Sequence, residues 1–168
     1  MVSKNLYLIL HNIRSLYNVG SMFRTADAAG VSKIFLTGYT GAPQDKLGNA
    51  RKGIHKVALG AENAVPWEGR IDLPRLIEKL RKEKIFILAL EQVPKAFNYE
   101  KVDAYFRKRK IVKKFSSIAL LVGNEVRGIS PRILKKCNAI TEIPMRGKKE
   151  SLNVSVAAGI ALFKLREI

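Results

Sequence analysis

The feature of this sequence that most restricts its fold is a set of short apolar runs that recur along the chain. They cover residues 6–10, 34–36, 85–90 and 118–122, with a shorter run at 139–143. Runs of this length that are apolar at almost every position are typical of strands covered on both faces, as in parallel sheets. Helical patterns separate the runs. The sequence therefore predicts an α/β fold in which a mostly parallel sheet lies between two layers of helices.

Four helices can be placed from their capping residues and apolar stripes. The first runs from Asn18, its expected N-cap, to residue 27 and is followed by Gly30 as its C′ residue. Its apolar stripe indicates a face that packs on the sheet. The other three are a helix capped by Asp72, a helix that starts at Ser130-Pro131, and a C-terminal helix over residues 152–167.

Length and charge narrow the class of protein. The chain has 168 residues, which predicts one domain over residues 1–168. Lys and Arg total 31 against 14 Asp and Glu, a formal net charge of +17. A surface of this charge attracts polyanions, so nucleic acid is the leading partner. No apolar run approaches the roughly 20 residues that span a bilayer, so we expect no membrane partner.

The sequence gives no basis for a disulfide or a metal site. Cys137 is the only cysteine, and His11 and His55 are the only histidines. One cysteine cannot form an internal disulfide, and so few ligands cannot assemble a zinc cluster. Residues 1–4 lead into a strand pattern without the apolar region of a signal peptide. We therefore expect a cytoplasmic protein that holds no metal.

A strongly basic segment covers residues 101–114. It contains seven basic side chains and one acid, with Tyr105, Phe106 and Phe115 within or beside it. One interpretation is a solvated, self-repelling connection. The other is a phosphate-binding surface whose aromatic rings stack on bases. Composition favours the second interpretation only slightly.

A second irregular segment, residues 38–53, forms a long loop rich in Gly, Pro and polar residues and ends in Arg51 and Lys52. Loops of this length in small domains are often functional. With the other basic positions it completes the set of candidate nucleic-acid-binding residues, which are Arg14, Arg51, Lys52, Lys56, Arg107, Lys108, Arg109, Lys110, Arg146 and Lys148.

Common nucleotide-binding and hydrolase motifs are missing from the sequence. No G-x-G-x-x-G follows a strand, and no G-x-S-x-G elbow occurs. Residues 123–130 read GNEVRGIS, which is similar to a phosphate-binding G-x-x-x-x-G-K-[ST] loop, but Ile129 stands where that loop needs its lysine. The chain is therefore not expected to hydrolyse nucleotides or to act as a serine hydrolase.

Polar residues instead concentrate in three clusters at strand ends or helix starts, where open α/β sheets bind ligands. The clusters are residues 12–27, 121–130 and 143–155. Each has a structural interpretation, such as Asn18 and Ser151 as helix caps. Together and in this order, they resemble the three motifs of the SpoU/TrmH branch of the SPOUT RNA methyltransferases, and the resemblance covers nearly the whole chain.

The resemblance implies a role for each cluster. The positions that match catalytic residues of the family are Asn18, Arg24, Glu125, Ser151 and Asn153. Those that match residues at its cofactor, S-adenosylmethionine, are Leu90, Glu91, Val122, Gly123, Asn124, Ile143, Pro144, Met145 and Leu152. The resemblance also implies a homodimer and a C-terminal trefoil knot, which the general rule against threaded loops would not predict.

The reaction implied by the resemblance is transfer of a methyl group to a ribose 2′-hydroxyl of RNA, with tRNA placed ahead of rRNA as substrate. Such a displacement needs alignment, help with proton removal and exclusion of water. Arg24 is a poor general base because its guanidinium stays protonated, but it suits stabilising a developing alkoxide. The alternative is a non-catalytic RNA-binding or ribosome-assembly factor. The five intact polar positions favour the enzyme.

Overall fold

A computed structural model describes residues 5–168 of the chain. Its seven strands form one sheet with the order β3-β2-β1-β6-β4-β7-β5, and every neighbouring pair is parallel. The predicted α/β fold with a mostly parallel sheet is therefore confirmed. The strands are β1 (Asn5–His11), β2 (Lys33–Thr37), β3 (Trp67–Ile71), β4 (Ile85–Leu90), β5 (Phe97–Asn98), β6 (Ser117–Val122) and β7 (Ala139–Glu142).

Helices follow most of the strands. They are α1 (Leu16–Ala28), α2 (Lys52–Ala58), α3 (Ala61–Ala64), α4 (Leu73–Lys82), α5 (Val102–Lys108), α6 (Ile111–Lys114), α7 (Pro131–Leu134) and α8 (Val154–Arg166). Within residues 5–168, none of them is long and apolar enough to cross a membrane. The expectation about a signal peptide concerns residues 1–4, which lie outside the described part of the chain.

The sheet buries apolar side chains on both faces. In β1, Leu8 and Leu10 pack with α1 and α8, whereas Ile9 between them packs with α4 on the other face. All three side chains are fully buried. This alternation explains the continuous apolar runs, because each face of a central strand meets its own layer of helices.

Two strands of the sheet, β3 and β5, were not predicted from the sequence. β3 (Trp67–Ile71) is an edge strand whose residues are all half-buried or exposed, and β5 has only two residues. Neither carries the apolar run by which the other five were identified. Edge strands with one open side need no such run, so apolar patterning could not reveal them.

The two longest helices begin at other residues than predicted. Ser15, not Asn18, caps α1, because the Ser15 hydroxyl accepts the backbone N–H of Asn18 at 3.2 Å. Asn153 caps α8 by accepting the N–H of Ser155 at 2.8 Å, so the interpretation of Ser151 as a cap is wrong. α8 spans Val154–Arg166 and not residues 152–167. The first change leaves the side chain of Asn18 free to make tertiary contacts.

The basic segment is folded. Residues 101–114 contain α5 and α6, and Phe106 is buried with its ring edge to face against Phe86 at 5.1 Å. The interpretation of Phe106 as a base-stacking residue is therefore wrong, because the core already uses its ring. The predicted loop 38–53 is confirmed up to Arg51, after which α2 begins. The helix expected at Ser130-Pro131 is the single turn α7.

The end of α8 is attached to the end of α1. Arg166 donates its Nε hydrogen to the carbonyl oxygen of Ala29 and an Nη2 hydrogen to that of Gly30, each at 2.6 Å. Gly30 has φ +65°, the left-handed conformation expected of a C′ residue. The guanidinium thus satisfies carbonyl groups at the negative end of the α1 dipole.

The close approach of α2 to Gly20 predicts that a larger residue at this position lowers the stability of the protein. A Cβ atom at this position would lie 2.6 Å from the carbonyl oxygen of Ile54 in α2. We expect Gly20→Ala to lower the free energy of unfolding by about 1–3 kcal/mol, despite its gain of roughly 1 kcal/mol in helix propensity. Gly147→Ala is the control, because nothing lies within 4 Å of its Cβ position. Urea denaturation that gave both variants the same stability would contradict the contact.

Candidate active site

A cavity of about 430 Å³ opens at the carboxyl ends of β4, β6 and β7. Leu90, Val122 and Glu142, which line it, are the last residues of these strands. Ligands of open parallel sheets bind at this edge. The other lining residues are Asn18, Glu91, Gln92, Gly123, Asn124, Glu125, Val126, Gly128, Ile143, Met145, Ser151, Leu152, Asn153, Val154 and Ala157.

Most of the catalytic and cofactor-binding residues predicted from the sequence line this cavity. Of the five candidate catalytic residues, only Arg24 lies outside the lining, and of the nine candidate cofactor residues, only Pro144 does. Six lining residues were not predicted from the sequence, namely Gln92, Val126, Gly128, Glu142, Val154 and Ala157. Four of them, Gln92, Val126, Glu142 and Val154, are next to a predicted site residue in the sequence. Extending each predicted set by one residue would have included these four.

Glu125 connects the loop after β6 to the start of α1. Its carboxylate accepts the backbone N–H groups of Arg14 at 3.0 Å and Ser15 at 3.1 Å. It also accepts the side-chain amide of Asn18 at 3.0 Å. Partial burial raises the pKa of Glu125, but the hydrogen bonds from Arg14, Asn18 and Ser15 outweigh it, so the pKa lies below its usual value. The group is therefore ionised at neutral pH.

The same network continues to the third motif. Asn153 donates its side-chain N–H to Oδ1 of Asn18 at 3.1 Å. Its own Oδ1 accepts the backbone N–H of Ser155 at 2.8 Å and the Ser155 hydroxyl at 2.6 Å. Both amide groups are thus oriented by the contacts of their oxygen atoms. The carboxylate of Glu125 and the two Asn side chains form one connected chain of hydrogen bonds along the cavity wall.

Asn124 shapes the turn that carries Glu125. Its Oδ1 accepts the backbone N–H groups of Val126 at 3.0 Å and Arg127 at 2.8 Å. Its Nδ2 donates to the carbonyl oxygen of Asn12 at 2.9 Å and to the hydroxyl of Tyr39 at 2.8 Å. The side chain therefore fixes the turn and also ties it to the ends of β1 and β2.

Glu91 holds the other end of this turn. Its carboxylate accepts the backbone N–H groups of Ile129 at 2.7 Å and Gln92 at 3.0 Å. Gly128, which precedes Ile129, has φ +61°, and a Cβ atom there would collide with the Glu91 carboxylate. Glycine is required at this position on both counts.

The charge of the cavity contrasts with that of the chain. Three carboxylates, Glu91, Glu125 and Glu142, line it, and no Lys or Arg of the described residues does. In a protein with a net charge of +17, this is a locally acidic site. It suits a neutral or cationic ligand and disfavours a polyphosphate.

The basic candidates lie outside the cavity. Arg14 takes part only through its backbone N–H, and Arg146 pairs with Glu100 at 3.1 Å. Arg24 is exposed on α1. The others are Arg51, which precedes α2, the exposed residues Lys52 and Lys56 on α2, the segment 107–110 and the exposed Lys148. Within residues 5–168, no group of three metal-ligating side chains occurs.

Comparison with known proteins identifies the family. The model of the SpoU rRNA Methylase family matches residues 5–163. The chain belongs to the SpoU rRNA methylase family.

The chain is similar to named members of this family and to solved structures of such proteins. The chain is 34% identical over 161 residues to the 23S rRNA (guanosine-2'-O-)-methyltransferase RlmB of Blochmanniella floridana, covering 95% of this chain and 56% of the relative. AdoMet-bound rRNA methyltransferase from Sinorhizobium meliloti has a TM-score of 0.81 at 28% identity, over 97% of this chain and 56% of that one.

The TrmH/SpoU tRNA modifying enzyme of A. aeolicus has a TM-score of 0.77 at 27% identity, over 98% of this chain and 75% of that one. The chain thus spans just over half the length of the curated relatives that it matches.

The network at Glu125 predicts a pH-dependent stability. Because its folded pKa lies below the ordinary value of 4.5, the ionised group stabilises the fold above that pH, and this contribution is lost as the pH falls through the folded pKa. At pH 7 we expect Glu125→Gln to lower the free energy of unfolding by about 1 kcal/mol, a figure that allows for solvent exposure. The difference from wild type should shrink in urea titrations below pH 4.5.

Glu150→Gln is the matched control, since Glu150 is exposed and has no hydrogen bond with the described residues. It should follow wild type at every pH. A Glu125→Gln deficit that persisted unchanged in acid would show that the carboxylate charge is not what the network uses.

Proposed function

We propose that the chain is an S-adenosylmethionine-dependent methyltransferase that modifies a ribose 2′-hydroxyl of RNA. The observation that carries this proposal is the connected network of Glu125, Asn18 and Asn153 along an acidic cavity at the carboxyl edge of the sheet. Membership of the SpoU rRNA methylase family and the AdoMet-bound structural neighbour support it. The matched region, residues 5–163, supports treating residues 1–168 as one catalytic unit.

The lining of the cavity fits the cofactor. Its volume of about 430 Å³ lies within the range of small-molecule sites. Leu90, Ile143 and Leu152 offer apolar surface for an adenosyl group, and Glu91 and Glu142 offer acceptors for hydroxyl and amino groups. The carboxylates also compensate the positive charge of a sulfonium. S-Adenosylmethionine, when bound, would supply an electrophilic methyl group.

The polar residues of the cavity would orient the RNA ribose. Asn18 and Asn153 have amides fixed by Glu125 and by each other, so they can hold a hydroxyl group without reorganising. Ser151 is exposed at the cavity wall and can add one more donor or acceptor. The apolar side chains nearby would exclude water from the reacting groups.

Arg24 would complete the site from a second copy of the chain. It lies six residues after Asn18, which places the two side chains about 120° apart around α1, and it does not line the cavity of its own chain. In a homodimer formed through α1 and α8, the exposed Arg24 of one copy could reach the cavity of the other. There it would stabilise the developing alkoxide.

The surface of α8 supports this homodimer. Val156, Ile160 and Phe163 are 50%, 36% and 52% exposed and follow one another at helical spacing. Tyr17 on α1 is 57% exposed. An exposed apolar stripe on a helix is typical of a protein interface. Two copies of this surface can pair about a twofold axis.

Ribosomal RNA is the favoured substrate class. The sequence alone placed tRNA first, but the curated relatives of the chain are named 23S rRNA (guanosine-2'-O-)-methyltransferases, whereas a tRNA modifying enzyme occurs among the structural neighbours. A methyltransferase of either RNA would act in the cytoplasm, in keeping with the single unpaired cysteine. The non-catalytic alternative is disfavoured because a scaffold has no need of the connected amide network.

The path of the C-terminal segment supports the trefoil knot that the resemblance implies. β7 lies beyond β4 from β6, yet α8, the next long element, packs against α1 and β6. Residues 143–153 must therefore return across the end of β4, past the cavity that they help to line. A threaded segment here would fix the third motif against the second.

The proposed function predicts cofactor binding and methyl transfer. We expect calorimetry to detect S-adenosylmethionine binding, and labelled methyl groups to appear on total RNA at ribose 2′-oxygens. Arg24→Ala should reduce the single-turnover rate by about 10²–10³-fold with cofactor affinity unchanged, since one preorganised donor is lost. Arg24→Lys should restore the rate only in part. Failure of the wild type to bind the cofactor would overturn the enzyme hypothesis.

Mixing variants tests whether Arg24 acts across the interface. Asn18→Ala and Arg24→Ala chains, each inactive alone, should regain about one quarter of wild-type activity when mixed, because half of the dimers hold one intact site. No recovery would place Arg24 in the site of its own chain.

The dimer itself has a separate test. Phe163→Glu puts a charge into the apolar stripe of α8 and should yield a monomer by sedimentation at low micromolar concentration, where the wild type is a dimer. Leu47→Glu is the control, because Leu47 is 86% exposed in the loop 38–53 and away from α8. A wild-type mass equal to that of one chain would contradict the proposed homodimer.

A further inference from the structure

A second cavity of about 430 Å³ lies at the opposite edge of the same sheet. Phe86 near the start of β4, Phe115 just before β6 and Asn138 directly before β7 all line it. It therefore sits at the amino ends of the three strands whose carboxyl ends form the candidate active site. We name it the amino-edge cavity. A strand of six residues separates the two cavities by about 20 Å.

The amino-edge cavity has the opposite charge. Lys108, Arg109, Lys110 and Lys114 line it, and no Asp or Glu of the described residues does. Lys108 ends α5 and Lys114 ends α6. Lys110 between them has φ +55°, a conformation that side-chain-bearing residues seldom adopt. The backbone turn at Lys110 places the C-terminal ends of α5 and α6, with their cationic side chains, beside the same cavity.

The cavity also holds a preorganised flat group. The rings of Phe97 and Tyr105 stack with centroids 4.2 Å apart and an interplanar angle of 6°. The Arg109 guanidinium lies over the Tyr105 ring, 4.6 Å from its centroid. Because Phe97 covers one face of Tyr105, Arg109 covers the other and ends the stack. An Arg side chain held over an aromatic ring in this way offers its guanidinium as a surface on which an unpaired base can stack.

Asn138 adds a directed hydrogen-bond donor. Its backbone N–H donates to the carbonyl oxygen of Ile87 at 2.9 Å, and its Oδ1 accepts the N–H of Ile87 at 2.8 Å. The amide is therefore fixed by its oxygen. Its Nδ2 has no acceptor among residues 5–168 and is available to a ligand in the cavity.

We propose that the amino-edge cavity binds an unpaired nucleotide of the RNA substrate, with its base on Arg109 and its flanking phosphates on Lys108, Lys110 and Lys114. The identity of the ligand as RNA rests on the proposed function. A lipid headgroup would use the lysines but neither the stacked guanidinium nor the fixed amide. The substrate must then reach from one edge of the sheet to the other, about 20 Å from the methylated ribose.

Binding of a fluorescein-labelled single-stranded RNA of twelve mixed nucleotides tests this site. Lys108→Ala/Lys114→Ala should weaken binding about tenfold and flatten the plot of log affinity against log salt by about 0.7 per lost phosphate contact. The matched control is Arg75→Ala/Lys82→Ala, which removes two exposed cations from α4. It should behave as wild type. Thermal unfolding and S-adenosylmethionine calorimetry check that each variant is folded.

Arg109→Lys separates stacking from charge. It keeps the cation but loses the flat group, so RNA affinity should fall while the salt slope stays that of wild type. Ultraviolet crosslinking of the wild type should attach RNA to the peptide that holds Tyr105. The same peptide in Arg109→Lys should crosslink less, because the base is no longer held over the stack.

The outcomes distinguish this inference from the proposed function. Equal RNA affinities for the cavity variant and the α4 control overturn the inference, even where the wild type transfers methyl groups. So does loss of binding to phosphatidylserine vesicles with unchanged RNA affinity, which would assign the cavity to a membrane. RNA binding through the cavity by a wild type without methyl transfer supports the inference and overturns the proposed function.

Discussion

The carboxylate of Glu125 is the point on which the candidate active site depends. It joins segments more than one hundred positions apart in the sequence, since its partners Arg14, Ser15 and Asn18 belong to the first cluster. Through Asn18 the contact extends to Asn153 and the third cluster. Among the described side chains of the second cluster, only that of Glu125 forms hydrogen bonds with both backbone and side-chain groups at the start of α1. The parallel sheet makes this possible by bringing strand ends to one edge.

The fold also separates charge along the strand direction. Carboxylates gather at the carboxyl edge and cations at the amino edge, on the same three strands. A high net charge alone would draw a polyanion to any part of the surface. The acidic cavity at the carboxyl edge disfavours polyanionic ligands, whereas the basic cavity at the amino edge attracts them. The two cavities of one chain therefore suit ligands of opposite charge.

The sequence allowed good prediction wherever burial or motif order left a clear pattern. The central strands were found because both faces are buried, and the cavity lining was found because three polar clusters occur in family order. Asn18 shows the limit. Its position suggested a cap, but Ser15 takes that role, and only tertiary contacts reveal that the Asn18 amide belongs to Glu125.

The amino-edge cavity was visible only in part from the sequence. Its cations formed a charge run, but the run did not show that Phe106 is buried or that Arg109 lies over the Tyr105 ring. Asn138 gave no signal at all, because its role depends on Ile87, some fifty positions away. Local patterns carry no information on such pairings.

The clasp between Arg166 and the end of α1 has a dynamic consequence. Because the guanidinium holds both Ala29 and Gly30, fraying of the last turn of α8 would expose carbonyl groups of α1 at the same time. At the other ends of these helices, Asn18 and Asn153 are bonded to each other. Hydrogen bonds therefore join the two helices at both ends, so we expect α1 and α8 to open together, and the contact between the Asn18 and Asn153 amides to depend on the closed C-terminal turn.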